Sequence, residues 1–168
     1  MAIETKNQPL EQINQIARWF EAAVPNPSPR NALTQLGVHF EEVLEMVQTL
    51  EEAGTTRPAC EQLSFASDVL SYFQRQLKSG DLEIDFSKIN RVNLLDALCD
   101  QIVTAVGVAH MLGMNIEGAL KEVAVSNDSK FGENGVPIFN DHHKIMKGPR
   151  YQSPNIAVFA TKGESNNA

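Results

Sequence analysis

The chain has 168 residues, enough for one domain of common size with a real core. Its apolar fraction of 42% and charged fraction of 21% are those of an ordinary globular protein. A formal charge of −7 argues against broad binding to polymeric nucleic acid or an anionic membrane surface. Cys60 and Cys99 have no CxxC spacing, and this fits a reduced cytoplasmic setting. Met1-Ala2-Ile3-Glu4-Thr5-Lys6 lacks the form of a signal peptide, and no apolar run approaches the length of a membrane span.

Taken in order, Pro9 can open a first helix, along which Ile13, Ile16, Ala17, Phe20 and Val24 recur at helical spacing. Trp19 sits beside that stripe and reads as a core or interface residue rather than a base-stacking platform. Pro25, Pro27 and Pro29 predict a stiff connection through residue 30. Asn31 is the expected N-cap of a second helix running to about Ala53, with Gly54 as its C-cap. That helix carries Glu41, Glu42 and Glu45 beside a stripe of Leu36, Phe40, Val43, Val47 and Leu50. Glu42 and Glu45 are three apart and share a face.

A third helix is expected from about Ala59 to Lys78, ended by Gly80, and it reads as packing rather than chemistry. Residues 81–89 alternate in polarity but have no partner strand, so an ordered loop is expected. The fourth helix, from about Asn90 to Leu112, is apolar nearly all round, and such a helix is usually central in a bundle. It carries Asp96 and Asp100, four apart, where burial would require pairing, a metal or a proton. Two helices that aim carboxylates at a common space suit an oxygen cage for Mg²⁺ or Mn²⁺. Asn115 caps a short fifth helix through Val123.

From Ser126 the chain turns irregular. The stretch His142-His143-Lys144-Ile145-Met146-Lys147-Gly148-Pro149-Arg150-Tyr151 is basic and shaped by Gly and Pro. It fits either a phosphate-binding loop or a solvated turn. His142 and His143 are adjacent, point apart on regular structure, and read as surface residues. The tail after Thr161 is polar and expected to fray. The expected class is therefore all-α, with about five helices in one domain: an N-terminal helix and Pro-rich connection (1–30), a helical core (31–125), a C-terminal loop region (126–160) and a tail (161–168).

Glu42-x-x-Glu45 followed by Asp96 and Asp100 resembles the all-α nucleoside triphosphate pyrophosphohydrolases. The closer likeness is to the MazG-like, phosphoribosyl-ATP-pyrophosphohydrolase-like branch of bacteria and their phages. There Asp96-Ala97-Leu98-Cys99-Asp100 resembles a D-A-L-x-D signature, Ser126-Asn127-Asp128-Ser129-Lys130 an S-N-x-S-K turn, and Lys144-Ile145-Met146-Lys147-Gly148-Pro149 a K-I-x-K-G-P loop. The likeness spans about Leu33 to Pro154. The superfamily's second acidic half is usually E-x-x-D, and its Glu falls here on Asn93 or Ala97.

The resemblance implies a four-helix-bundle core and cleavage between the α and β phosphates, giving a nucleoside monophosphate and pyrophosphate. It implies Glu42, Glu45, Asp96 and Asp100 as ligands of Mg²⁺ or Mn²⁺, and Glu41 as a further ligand or the base. Asn93, Asn127, Lys130, Lys144, Lys147, Arg150 and Tyr151 are the implied substrate contacts. A nucleotide substrate, a homodimer or homotetramer, no membrane and a cytoplasmic location (the host's, if a phage encodes it) follow from the same likeness. Phosphoribosyl-ATP as substrate, or an inactive helical nucleotide-binding or interaction module, are the alternatives. A di-iron bundle wants Glu-x-x-His, and no histidine here has a Glu three residues before it.

Overall fold

The computed structural model describes residues 11–53, 56–141 and 144–161. They form five α-helices: α1 Glu11–Ala23, α2 Pro29–Glu52, α3 Arg57–Ser79, α4 Arg91–Met111 and α5 Ile116–Asp128. Single 3₁₀ turns occur at Phe86–Lys88 and Ala157–Phe159, and no strand occurs among the described residues. The all-α class follows as the periodicity predicts. Pro9, Gly54, His142, His143 and the tail from residue 162 lie outside the described residues.

The chain divides into two compact units. The first is Asn26–Lys88 with Phe139–Lys144, built on an antiparallel hairpin of α2 and α3. Ser28, not Asn31, caps α2. The Ser28 hydroxyl accepts from the Asn31 amide at 3.2 Å, and the Ser28 amide donates to Asn31 Oδ1 at 3.0 Å. Proline's fixed φ suits the first helical position, so the helix begins at Pro29 and Asn31 becomes the third residue of a capping box. For the same reason α3 starts at Arg57, with Pro58 inside its first turn. Gly80 ends α3 as expected, in the left-handed region at φ 87°. Gly37 lets the two helices close: an ideal Cβ there would stand 3.0 Å from the Gln74 carbonyl and 3.2 Å from Leu77 Cβ. Leu77 is fully buried beside it, and Phe40 meets Phe73 edge to face at 4.9 Å. Residues 81–89 are a loop with one 3₁₀ turn, as expected.

The second unit comprises Met1–Pro25, Ile89–Ile138 and Ile145–Ala168, of which residues 11–25 and 145–161 of the outer segments are described. It contains α1, α4 and α5. Trp19 on α1 is buried as a core residue. It stacks on Phe131 at 5.6 Å and donates from Nε1 to the Asn127 carbonyl at 2.8 Å. Asn90 caps α4 by accepting from the Val92 and Asn93 amides, both at 3.1 Å. Asn115 caps α5 as expected, accepting from the Gly118 amide at 3.0 Å. Helix α5 runs past Val123 to Asp128, because no Gly or Pro interrupts it, so Ser126 and Asn127 lie in its last turn rather than in an open turn.

Helix α4 corrects three expectations: a buried central helix, buried carboxylates, and no apolar run of membrane-spanning length. Its eight Val, Leu and Ile residues are all exposed and only Ala109 is buried, so it is not a buried central helix within this chain. Asp96 and Asp100 are exposed with it, and the argument from buried carboxylates falls away. It is also 21 residues long with a mean hydropathy of 1.4 over its most apolar window, enough by length and composition to cross a membrane.

Candidate functional site

In the hairpin unit, α2 presents its acidic residues differently. Glu42 and Glu45 are exposed, one turn apart. Glu41 is partly buried and ion-paired twice: Lys78 Nζ donates to its Oε1 and Lys144 Nζ to its Oε2, each at 2.9 Å. Burial pushes the Glu41 carboxyl up, but the hydrogen bonds and charges of Lys144 and Lys78 outweigh it and hold the carboxyl below its usual range. A carboxylate so placed is a weak base near neutral pH, and both its oxygens are engaged. Glu41, expected as a ligand or the base, thus has each of its oxygens engaged by a lysine.

Asp96 and Asp100 stand on α4 in the other unit, both exposed. The exposed Asn93 gives its amide to the Asn90 cap. Among the described residues, no group of three or more His, Cys, Asp or Glu is gathered closely enough to hold a metal ion. Each unit supplies a pair of carboxylates.

The basic segment also divides. Lys144 belongs to the hairpin unit. Lys147, Arg150 and Tyr151 fold against the end of α5 in the other. There the Gly148 amide donates to the Lys130 carbonyl at 3.1 Å, an approach that a side chain at Gly148 would block. Ser126 Oγ donates to the Gln152 carbonyl at 2.7 Å, and the Gln152 amide to Ser129 Oγ at 2.9 Å. Lys147 Nζ lies 4.5 Å from the centre of the Tyr151 ring, a cation–π contact. Hydrogen bonds with Ser153 and Ser126, then the charge of Lys147, hold the Tyr151 phenol below its usual range despite some desolvation. The Arg150 guanidinium donates to the Gly132 carbonyl at 2.7 Å. Lys130 Nζ lies 6.0 Å from the Trp19 ring centre. One unit thus brings Asn127, Lys130, Lys147, Arg150 and Tyr151 to one end of α5. Lys147 and Arg150, both exposed, can meet an anionic ligand there.

Lys78 was not singled out by sequence reasoning. It pairs with a glutamate 37 positions earlier, and only the register of the α2–α3 hairpin could have revealed it.

No protein-family model and no curated protein matches the chain. The crystal structure of a protein from Exiguobacterium sp. 255-15, proposed to be an NTP pyrophosphohydrolase, is similar over 88% of this chain and 90% of its own, with a TM-score of 0.56 and 19% sequence identity. That likeness shows the fold, an all-helical one.

Proposed function

We propose that the protein is a metal-dependent pyrophosphohydrolase, cleaving the α–β phosphate bond of nucleoside triphosphates, deoxynucleoside triphosphates or related nucleotides. The observation that carries this reading is the fold it shares, over 88% of its length, with a protein proposed to be an NTP pyrophosphohydrolase. The chemistry of its exposed oxygen donors, and the cations gathered at the end of α5, support it.

The carboxylates suit Mg²⁺ or Mn²⁺ in chemistry: Glu42, Glu45, Asp96 and Asp100 are all oxygen donors and all exposed. These four would hold the ion. When bound, it neutralises phosphate oxygens and lowers the pKa of a water ligand. Lys130, Lys144 and Lys147 would grip the phosphates as point charges. Arg150 already spends one donor on Gly132, which fixes its guanidinium for the remaining ones. Tyr151 would orient Lys147 through its ring, and Asn127 and Asn93 would offer neutral polar contacts. Products are a nucleoside monophosphate and pyrophosphate. The MazG-like branch, a homodimer or homotetramer that covers α4, and a cytoplasmic setting complete the reading. The exposed aliphatic surface of α4 favours one other reading, an inactive helical interaction module.

The test is incubation with a panel of NTPs, dNTPs and phosphoribosyl-ATP, with Mg²⁺, Mn²⁺ or chelator, and identification of the products. Metal-dependent pyrophosphate is expected, abolished in Glu42→Gln and Asp100→Asn with the helical content intact. Orthophosphate as product, or full turnover in both variants, would overturn the bond or the ligands assigned. No turnover of any nucleotide leaves the interaction module.

A further inference from the structure

Glu41 is matched by more positive charge than it needs. One lysine would neutralise it; the second leaves one unit of excess positive charge on the trio, on the helix that continues to Glu42 and Glu45. The two lysines are not equivalent. The Lys78 side chain is 20% exposed and that of Lys144 is 40% exposed. Lys78 stands in the last turn of α3, beside fully buried Leu77, and its carbonyl accepts from the Arg30 guanidinium of α2. It is anchored from two sides. Lys144 instead lies outside the helices of this unit. There the Asn140 amide donates to the Lys144 carbonyl at 3.0 Å and the Lys144 amide to Asn140 Oδ1 at 2.9 Å. Those bonds join Lys144 to Asn140, and the pair with Glu41 ties Lys144 to α2.

We propose that Glu41 and Lys78 are positioning residues: Lys78 fixes the Glu41 carboxylate, and Glu41 holds the more exposed Lys144 as an anion-contacting cation beside the acidic face of α2. The identity of the anion, a nucleotide's phosphate chain, rests on the pyrophosphohydrolase reading; the tie itself does not. With both oxygens accepting from ammonium groups, Glu41 orients a cation instead of taking a proton. A lysine already ordered before the ligand arrives loses less side-chain freedom on binding, an effect of about tenfold in affinity for one long side chain.

The experiment has two arms on the intact chain. Hydrogen–deuterium exchange is followed at the Asn140 and Lys144 amides in wild type, Glu41→Gln, Lys78→Met and Lys78→Arg, without nucleotide. Exchange should quicken by about tenfold or more in Glu41→Gln, rise in Lys78→Met and recover in Lys78→Arg. In metal-dependent pyrophosphate release, KM should rise about tenfold in Glu41→Gln and Lys78→Met with kcat within about threefold, and recover in Lys78→Arg. Unchanged exchange overturns the tie. Faster exchange with unchanged KM overturns its role in positioning. A kcat lower by about a hundredfold or more with KM unchanged makes Glu41 a base instead. Should Glu41→Gln not fold, judged by far-UV circular dichroism, Lys78→Met and its rescue by Lys78→Arg decide alone. A wild type that releases no pyrophosphate from any nucleotide overturns the function, not the tie. Exchange then decides the tie, and calorimetric binding of inorganic pyrophosphate, weaker by about tenfold in Lys78→Met, decides the anion contact.

Discussion

Replacing Gly37 with alanine sets two effects of known sign against each other. A glycine inside a helix costs about 1 kcal/mol relative to alanine, so the exchange alone would stabilise α2. The new Cβ, however, would stand 2.6 Å from Lys78 Cγ, 3.0 Å from the Gln74 carbonyl oxygen and 3.2 Å from Leu77 Cβ. The Lys78 stem could swing aside only by disturbing its bond to Glu41. The Gln74 oxygen is backbone, and Leu77 is fully buried, so neither yields without parting the helices. Overpacking of this kind costs about 1–3 kcal/mol. The net expectation is a loss of roughly 0–2 kcal/mol, each kcal/mol lowering Tm by about 2–4 °C in a chain of this size. Urea unfolding followed by far-UV circular dichroism measures it. Gly107→Ala is the control: nothing lies within 4 Å of its Cβ, so it should gain about 1 kcal/mol. A Gly37→Ala protein as stable as Gly107→Ala would show that α2 and α3 do not approach so closely.

Leu77→Ala should cost about 2–5 kcal/mol by the same assay, since it empties a fully buried position; a loss below 1 kcal/mol would place Leu77 outside the core. Trp19→Phe removes the 2.8 Å bond to the Asn127 carbonyl and should cost about 1–2 kcal/mol, read by circular dichroism because the chain's one tryptophan is then gone. The Glu41 carboxyl is held below its usual value of 4.5, so its pairing stabilises the fold above pH 4.5 and that contribution is lost as pH falls through the lower, folded-state value. Glu41→Gln should therefore flatten the acid limb of a stability–pH profile, and an unchanged limb below pH 4.5 would contradict the pairing.

How much of this the sequence could disclose depends on the range of each interaction. The helices read from periodicity because their apolar stripes are local, and the Gly80 and Asn115 caps read from residue type. The start of α2 escapes the sequence because a serine followed by proline is a good cap, yet three prolines at alternate positions look like a linker. Glu41 looked like Glu42 in sequence. What sets it apart, Lys78 and Lys144, lies 37 and 103 positions away and depends on the hairpin register. The basic stretch read as one loop, whereas Lys144 belongs to one compact unit and Lys147 to the other. Composition cannot show where a chain changes partners.

Helix α4 was read as buried because it is apolar, and its exposure asks what covers it. A bilayer is a poor answer. Asp100 falls at the middle of the 21-residue helix, where a carboxylate costs about 2.5–3.5 kcal/mol to insert, and Asp96 adds a second charge about one turn away. Its eight Val, Leu and Ile residues at about 0.3–0.6 kcal/mol each return roughly 2–5 kcal/mol, less than the two aspartates cost. A protein surface removes the same aliphatic area from water and can leave both carboxylates at its rim or on a cation. A second copy of the chain is the partner already proposed. Sedimentation should then find a dimer or tetramer, and Val103→Asp, at a site 66% exposed, should dissociate it without unfolding the helices. Flotation with anionic vesicles should leave the protein behind. A wild type that stays monomeric at tens of micromolar, or that floats, would mean that something other than a second copy covers α4.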